Sequence, residues 1–451
     1  MNDKARETAI LILNTLHTTK KNLDDILVDI FDEDRQSKLD KAFTYSLVYG
    51  VLRWQNRLDW VIKHFSHVKI HKIDPAVLNI LRMGLFQIIF LDRVPVSAAV
   101  NTSVELSKSL GGAWVVKFVN ALLRKASTAY DTVPYPDFEE NPVLSLATEY
   151  AFPEWLIKRW IKRFGPIETK QLCTFLNTIP PITVRTNRLK TDRDNLVRLL
   201  DQETAGASRT AISPEGVSFF NPKLPIPQLT SYQKGWFQVQ DEAAQLVTLM
   251  LNPHPGETVL DACAGLGGKT GHIAQQMQNK GRIIAMDRHR QKLSRLRSEM
   301  LHLGVSIVTT NSHDMNVPFD TKRSRMFDRI ILDAPCSGLG VLRRNPDAKW
   351  VFAKSNLTSY QNRQVTFLDT LTPLVKIDGI LVYTVCSIEP EENEGVVEAF
   401  LNEHPSFIID KDFRNLLPEM SMFIDKQGFF KTYPHTSNMD GFFAVRLRRT
   451  K

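Results

Sequence analysis

From Gly256 onward, short β-rich runs alternate with stretches of helical periodicity: residues 258–263, 282–287, 305–310, 327–334 and 379–387 read as strands, with helices between them. This alternation constrains the chain more than any other feature. A strand and its parallel neighbour must be joined by a crossover, which a helix fills, so the pattern predicts an α/β, Rossmann-like domain around a doubly wound, mostly parallel sheet. In such a sheet ligands sit at the carboxyl ends of the strands.

The first strand runs into Asp261-Ala262-Cys263-Ala264-Gly265-Leu266-Gly267-Gly268-Lys269-Thr270, a strand-to-helix turn with three glycines that lets a ligand approach the backbone. Asp287 ends the second strand, placing a carboxylate where ribose hydroxyls can donate to it. Read as a P-loop, Gly268-Lys269-Thr270 lacks its first glycine, because Cys263 stands there. Read as a dinucleotide fingerprint, Gly265-x-Gly267-x-x-Thr270 lacks the third glycine, although variants soften that objection. The loop alone leaves S-adenosylmethionine and a nicotinamide or flavin cofactor evenly matched. Asp314 after the third strand and Asp333 at the end of the fourth add two strand-end carboxylates, Asp314 as an acceptor for an adenine amino group.

Two cysteines decide between those readings. Cys336 follows the apolar run of the fourth strand and Cys386 that of the fifth; both precede serine in a polar turn at the ligand-binding edge. A helix opening at Glu389-Pro390-Glu391-Glu392 would place its N-terminal partial charge near Cys386 and favour a thiolate. Methylation of a pyrimidine at carbon 5 gives such a thiolate a purpose. That carbon is a poor nucleophile until another nucleophile adds at carbon 6. Asp333 is placed to hydrogen-bond the pyrimidine edge. A base methylated on its exocyclic amine needs no cysteine.

The chain has 451 residues, long enough for two or three domains, with 43 % hydrophobic and 24 % charged residues, a balance that fits packed domains rather than disorder. The four cysteines form no C-x-x-C pair, so neither a disulfide framework nor structural zinc is expected, and the protein is read as metal-free. No signal-like start and no apolar run of about 18 residues occurs, so a cytoplasmic protein that does not enter membranes is expected. The formal charge of +8 favours a polyanionic partner. Residues 141–230 hold 12 Lys and Arg against 8 Asp and Glu, half of that excess.

Residues 1–140 read as an all-helical domain, with Asp74 capping a helix that starts at Pro75, Gly84 inside that helix, a break at Gly111-Gly112 and a proline-rich linker at 130–142. Residues 141–230 read as a small α+β, RNA-binding module with helices at 155–164, 167–176 and 192–200 and a strand at 182–187; residues 231–451 form the catalytic domain. Arg185, Arg188, Lys190, Arg343 and Arg344 are candidate contacts to an RNA backbone.

The residues resemble the bacterial RNA 5-methylcytosine methyltransferases of the NOL1/NOP2/Sun type over nearly the whole chain. The family's loop Cys-Ala-Ala-Pro-Gly-Gly-Lys-Thr is matched by Cys263 to Thr270, its Asp-Ala-Pro-Cys-Ser by Asp333 to Ser337, and its Thr-Cys-Ser followed by Pro-Glu-Glu-Asn by Val385 to Ser387 and Pro390 to Asn393. Arg343-Arg344-Asn345-Pro346-Asp347 with Trp350, Gln240-Asp241, and Asp440-Gly441-Phe442-Phe443 also fit. Asp40-Lys41-Ala42-Phe43 and Leu47 to Arg53 are similar to the NusB-like RNA-binding domain of one subfamily. The resemblance implies S-adenosylmethionine as methyl donor, held by Cys263, Ala264, Gly265, Leu266, Gly267, Gly268, Lys269, Asp287, Asp314 and Asp333. It implies Cys386 as covalent nucleophile, Cys336 as an aid to product release, Asp333 as the third catalytic residue, and a cytosine of small-subunit (16S) ribosomal RNA as target. A monomer is expected. Two departures stand out: Gly265-Leu266 in place of Ala-Pro, which gives up a rigid φ, and Val385 in place of threonine. Thr384, one residue earlier, faces the other way by strand alternation. The competing readings are a non-catalytic NusB-like RNA-binding or assembly factor with a degenerate methyltransferase domain, and a dinucleotide-dependent oxidoreductase. The second leaves the paired cysteines without a role.

Overall fold

A computed structural model of the protein describes residues 3–19, 21–33, 36–320, 326–411 and 418–451. The chain forms two compact units, Met1–Thr178 with Asn345–Val351, and Ile179–Arg344 with Phe352–Lys451.

The first unit is helical. Its helices at Lys4–Thr18, Lys38–Phe65, Pro75–Phe90, Val96–Ser107 and Ala113–Ala129 bury Ile12, Leu47, Val61, Ile80, Leu85 and Leu123 in one core. Asp74 caps the helix at Pro75 as expected, its carboxylate accepting from Ala76 N at 2.8 Å. Gly84 is a packing requirement: a Cβ there would lie 2.8 Å from Ser103 Oγ and 2.9 Å from Leu123 Cδ1, so the neighbouring helices pass close by.

The helices Pro142–Glu149 and Glu154–Leu176, which the sequence groups with the middle module, pack within this unit, which reaches Thr178. Asn56 holds them, donating to Phe152 O at 2.9 Å, and Phe152 packs on buried Trp160. The expected break between residues 164 and 167 is a kink where Gly165 takes φ +79° ahead of Pro166.

The second unit contains two sheets. The smaller consists of β1 (Ile182–Thr186), β2 (Ala205–Arg209), β3 (Gly216–Phe220) and β4 (Phe237–Val239) in the order β2-β3-β1-β4, with antiparallel pairings throughout. Val184, Val217, Phe219 and Phe237 meet Leu196 and Leu200 of the helix Arg193–Glu203 beneath it. Only β1 was expected from sequence.

The larger sheet contains β5 (Thr258–Asp261), β6 (Arg282–Asp287), β7 (Val308–Ser312), β8 (Phe327–Asp333), β9 (Val375–Val385), β10 (Phe407–Ile409), β11 (Phe429–Lys431) and β12 (Phe443–Arg449). Its order is β10-β12-β9-β8-β5-β6-β7, with β11 on β12. β5 to β9 pair in parallel, as predicted, while β10, β11 and β12 add an antiparallel edge that the sequence reading left out. The third strand begins at Val308, three residues later than expected. Strand order reverses beside β5, between β6 and β8, so the loops leaving β5 and β8 flank a crevice at the carboxyl edge.

Candidate active site

The turn after β5 uses its glycines differently. Gly265 has φ +55° and no atom within 4 Å of where a Cβ would stand, which leaves its backbone open to a ligand; Gly267 has φ +88°, and a Cβ there would press on Leu296 Cγ at 2.7 Å. Asp287 at the end of β6 accepts from Gly265 N at 3.1 Å and His289 N at 2.8 Å, and so fixes the turn beside its own carboxylate. Leu266, in place of proline, is more than half exposed.

The sequence reading passed over Asp261, the last residue of β5. Its Oδ2 accepts from Thr270 Oγ1 at 2.6 Å, while Oδ1 is buried without a hydrogen-bond partner. Burial pushes this carboxyl up to about 7. An acid within an apolar strand reads as an end residue, and its only signal was its place at the first strand's carboxyl edge. An open glycine backbone, a carboxylate for a ribose diol and an unpartnered buried carboxylate oxygen for an ammonium group fit S-adenosylmethionine. Asp314 lies two residues past the end of β7. It accepts from Asn316 N at 3.0 Å and Asn316 Nδ2 at 2.7 Å, as a turn residue does, and the backbone bond from Asn316 holds its carboxyl below the usual range.

Lys269 lies in the first turn of the helix Gly268–Gln276 and points to the other wall of the crevice. Its Nζ meets Asp333 Oδ2 at 2.5 Å and stands 5.4 Å from the centre of the Phe442 ring. Asp333, at the end of β8, stays about one-third exposed, and its Oδ1 accepts no hydrogen bond among the described residues.

Cys336 and Cys386, fifty residues apart, come together with their Sγ atoms 3.3 Å apart. Backbone stitches bring the two loops to one place: Ala334 N donates to Thr384 O at 2.9 Å, Gly340 N to Cys386 O at 3.0 Å and Gly441 N to Gly340 O at 2.8 Å. The contact with Cys386, followed by burial, raises the Cys336 thiol well above its usual range. Thr384 turns away as expected and donates to Phe443 O at 2.9 Å.

One sequence-based expectation fails here. The helix after β9 starts at Glu394, not Glu389, because residues 390–393 form a turn in which Glu392 N bonds Glu389 O and Gly395 N bonds Pro390 O. No helix N-terminus abuts Cys386. The turn instead folds the Glu392 carboxylate under both cysteine loops, where it accepts from Ser337 N at 2.8 Å, from Ser387 Oγ at 2.6 Å, from Ser337 Oγ at 2.5 Å and from Gln364 Nε2 at 3.2 Å.

Among the expected RNA contacts, Arg185 is fully buried, donating to Gln240, to Gly268 O at 2.8 Å and to Gln238 Oε1 at 2.9 Å. Arg344 is paired with Asp440 at 2.7 Å and Asp241 at 3.0 Å, so it and Arg185 are taken up by protein acceptors, and Arg343 is buried. Arg188 is exposed. With Lys190, Arg193, Thr186, Asp192 and Trp236 it lines a cleft of about 850 Å³.

A doubly wound sheet with this glycine turn, this strand-end carboxylate pattern and cysteines over the same crevice places the chain among the S-adenosylmethionine-dependent methyltransferases. Residues 248–448 match the family model of the 16S rRNA methyltransferase RsmB/F, residues 3–128 that of the NusB family and residues 152–225 that of the RsmF/B-like ferredoxin-like domain. The chain is 35 % identical to "Probable ribosomal RNA small subunit methyltransferase B" of Synechocystis sp. over 99 % of both chains. It is 33 % identical to ribosomal RNA small subunit methyltransferase B of Pseudomonas putida over 82 % of this chain and 83 % of that one. A crystal structure described as that of PH0851 superposes with a TM-score of 0.80 at 26 % identity, covering 100 % of this chain and 99 % of the other. The chain belongs to the ribosomal RNA small subunit methyltransferase B family.

Proposed function

We propose that the protein methylates carbon 5 of a cytosine in small-subunit ribosomal RNA through a covalent adduct on Cys386. The observation that carries this reading is the pair of thiols 3.3 Å apart at the crevice, beside the open glycine turn. S-adenosylmethionine supplies an electrophilic methyl group on a sulfonium. Asp287 and the backbone at Gly265 would hold its nucleoside, and Asp261 Oδ1 would receive its ammonium.

Cys386, as thiolate, adds to carbon 6 of the cytosine and makes carbon 5 enamine-like. Asp333, fixed by Lys269 through Oδ2, presents Oδ1 to the pyrimidine edge and favours the ring protonated at nitrogen 3, which offsets the negative charge that addition places there. Carbon 5 then takes the methyl group as its bond to the donor sulfonium breaks, the carbon 5 proton passes to a base, and the re-formed 5,6 double bond expels the Cys386 thiolate, with Cys336 against that sulfur to assist the release. Carbon 6 is reachable only in an unstacked base, so the target lies in a loop or single strand. No helix among the described residues is long and apolar enough to cross a membrane. The reading has the protein act in the cytoplasm as a monomer.

The helical region 1–140 and the module around β1 to β4 take the RNA strand in this reading, the module through the cleft at Arg188, Lys190 and Arg193, with the Trp236 ring for a base. The test is transfer of labelled methyl to unmodified ribosomal RNA. Wild type yields labelled 5-methylcytosine, Cys386→Ala yields none, and Cys336→Ala accumulates a protein–RNA adduct on denaturing gels. Absence of transfer to any RNA by folded protein would promote the binding-factor reading. Arg188→Ala with Arg193→Ala weakens RNA binding and makes the salt dependence shallower by about two phosphate contacts, with S-adenosylmethionine affinity unchanged.

A further inference from the structure

Holding two thiols against each other on separate strand-exit loops requires something that ties the loops together where the side chains diverge from the backbone. Ser337 and Ser387 are the residues directly after Cys336 and Cys386, and their Oγ atoms lie 3.3 Å apart, repeating the sulfur contact one residue further on. Beneath them lies Glu392, fully buried. One carboxylate oxygen takes Ser337 N and Gln364 Nε2, and the other takes both serine hydroxyls. Gln364 also donates to Pro335 O at 3.1 Å, so the residue before Cys336 is held from the same point.

We propose that Glu392 is a positioning residue, a carboxylate clasp that sets the Cys336–Cys386 distance by accepting from the residue after each cysteine. An ionised carboxylate accepts only, with about four lone-pair sites, and here it meets four donors. Charge-assisted bonds of this kind are roughly twice as strong as neutral ones. Burial works against the charge and raises the Glu392 carboxyl, and the bonds from Ser337 and Ser387 oppose that. The clasp touches neither the crevice turn nor Asp287, so its loss should spare the methyl donor. Its substrate-side consequence rests on the reading of Cys386 as nucleophile.

The experiment uses the full chain and measures two things. The first needs neither RNA nor methyl donor: the rate at which diamide, taking one hydrogen from each thiol, closes a Cys336–Cys386 disulfide, read by peptide mapping. Expected are rapid closure in wild type, closure slowed about tenfold or more in Glu392→Ala, and near-wild-type closure in Glu392→Gln, whose amide nitrogen both serine hydroxyls can turn to accept. The second is steady-state methyl transfer. There kcat of Glu392→Ala falls on the order of a hundredfold while KM for S-adenosylmethionine holds, and Glu392→Gln restores most of it.

Wild-type closure rate in folded Glu392→Ala overturns the clasp. Should that variant not fold, the double variant Ser337→Ala with Ser387→Ala takes its place, with the same slowing expected and the same result decisive against. If wild type transfers no methyl group, the covalent reading fails while disulfide closure still reports on the clasp, so the two failures are distinct.

Discussion

Arg185 shows how far a residue's position in the fold can depart from its appearance in the sequence. In a basic stretch it looks like a phosphate contact; in the structure it bridges β1, β4 and the first turn of the helix behind the glycine loop. Burial lowers it to about 10, so it remains charged at neutral pH. Removing it strands the acceptors of Gln238, Gln240 and Gly268, and a lysine ammonium donates from one point where the guanidinium donates from Nε, Nη1 and Nη2. Arg185→Ala is expected to cost about 3–5 kcal/mol and Arg185→Lys most of that, measured by denaturant unfolding; a loss within error for alanine would remove the bridge from the account. Asp261 carries a second residue-scale prediction. In the free protein its carboxyl holds a proton up to about 7, and an incoming ammonium requires it ionised. Binding of S-adenosylmethionine below that pH must release a proton, so Kd should rise by up to about tenfold per unit between pH ~7 and pH ~5.5, with proton release visible by calorimetry in different buffers. A wild-type Kd flat over that window would sink the assignment, as would pH dependence persisting in Asp261→Asn.

At the scale of elements, the crossing of the two cysteine loops depends on Gly340. A Cβ there would stand 1.9 Å from Gly441 O and 3.0 Å from Cys386 O, both backbone atoms with nowhere to go. Gly340→Ala is expected to lose about 1–3 kcal/mol and to push the cysteine loops apart, whereas Gly265→Ala meets no neighbour and pays only for its positive φ, about 1 kcal/mol. Thermal unfolding together with ligand binding separates them: Gly340→Ala retains S-adenosylmethionine affinity and loses methyl transfer, and Gly265→Ala loses affinity first. The reverse pattern would mean the two loops have been given each other's roles. β6, β8 and β9 were legible because each contains an apolar run buried on both faces, and the cysteines stood out because each ends such a run in a polar turn. Of the antiparallel edge, β10 and β11 were not legible, since they have three residues each and too little pattern to read. The acids and proline of residues 389–392 carry the composition of a first helical turn, and only the tertiary bonds from Ser337 and Ser387 explain why they form a clasp instead.

On the scale of the whole molecule, the first unit is completed by seven residues, Asn345–Val351, drawn from the chain of the second. Within that unit Lys349 is fully buried with no carboxylate paired to it among the described residues, and its three donors go to Arg53 O at 3.1 Å, Ala151 O at 3.2 Å and Asn177 Oδ1 at 2.8 Å, while Trp350 Nε1 donates to Leu52 O at 2.7 Å. Burial, and after it the nearby Arg53 charge, lowers the Lys349 ammonium well below its usual range. A lysine lowered on folding binds fewer protons in the native than in the unfolded state, so its contribution is fully present only above the unfolded pKa near 10.5 and is lost as pH falls through the folded value. Stability of the first unit should therefore climb with pH towards that range. Lys349→Met keeps the packing stem, strands three acceptors at a cost of about 1–3 kcal/mol, and removes the climb. Calorimetric unfolding of the full chain across alkaline pH resolves this, because the helical unit and the sheet unit each have their own core and the variant should lower the transition of only one. A variant whose pH profile still parallels wild type would show that the ammonium is not what this segment contributes, and a shift of every transition together would show that the inserted segment makes the two units unfold as one.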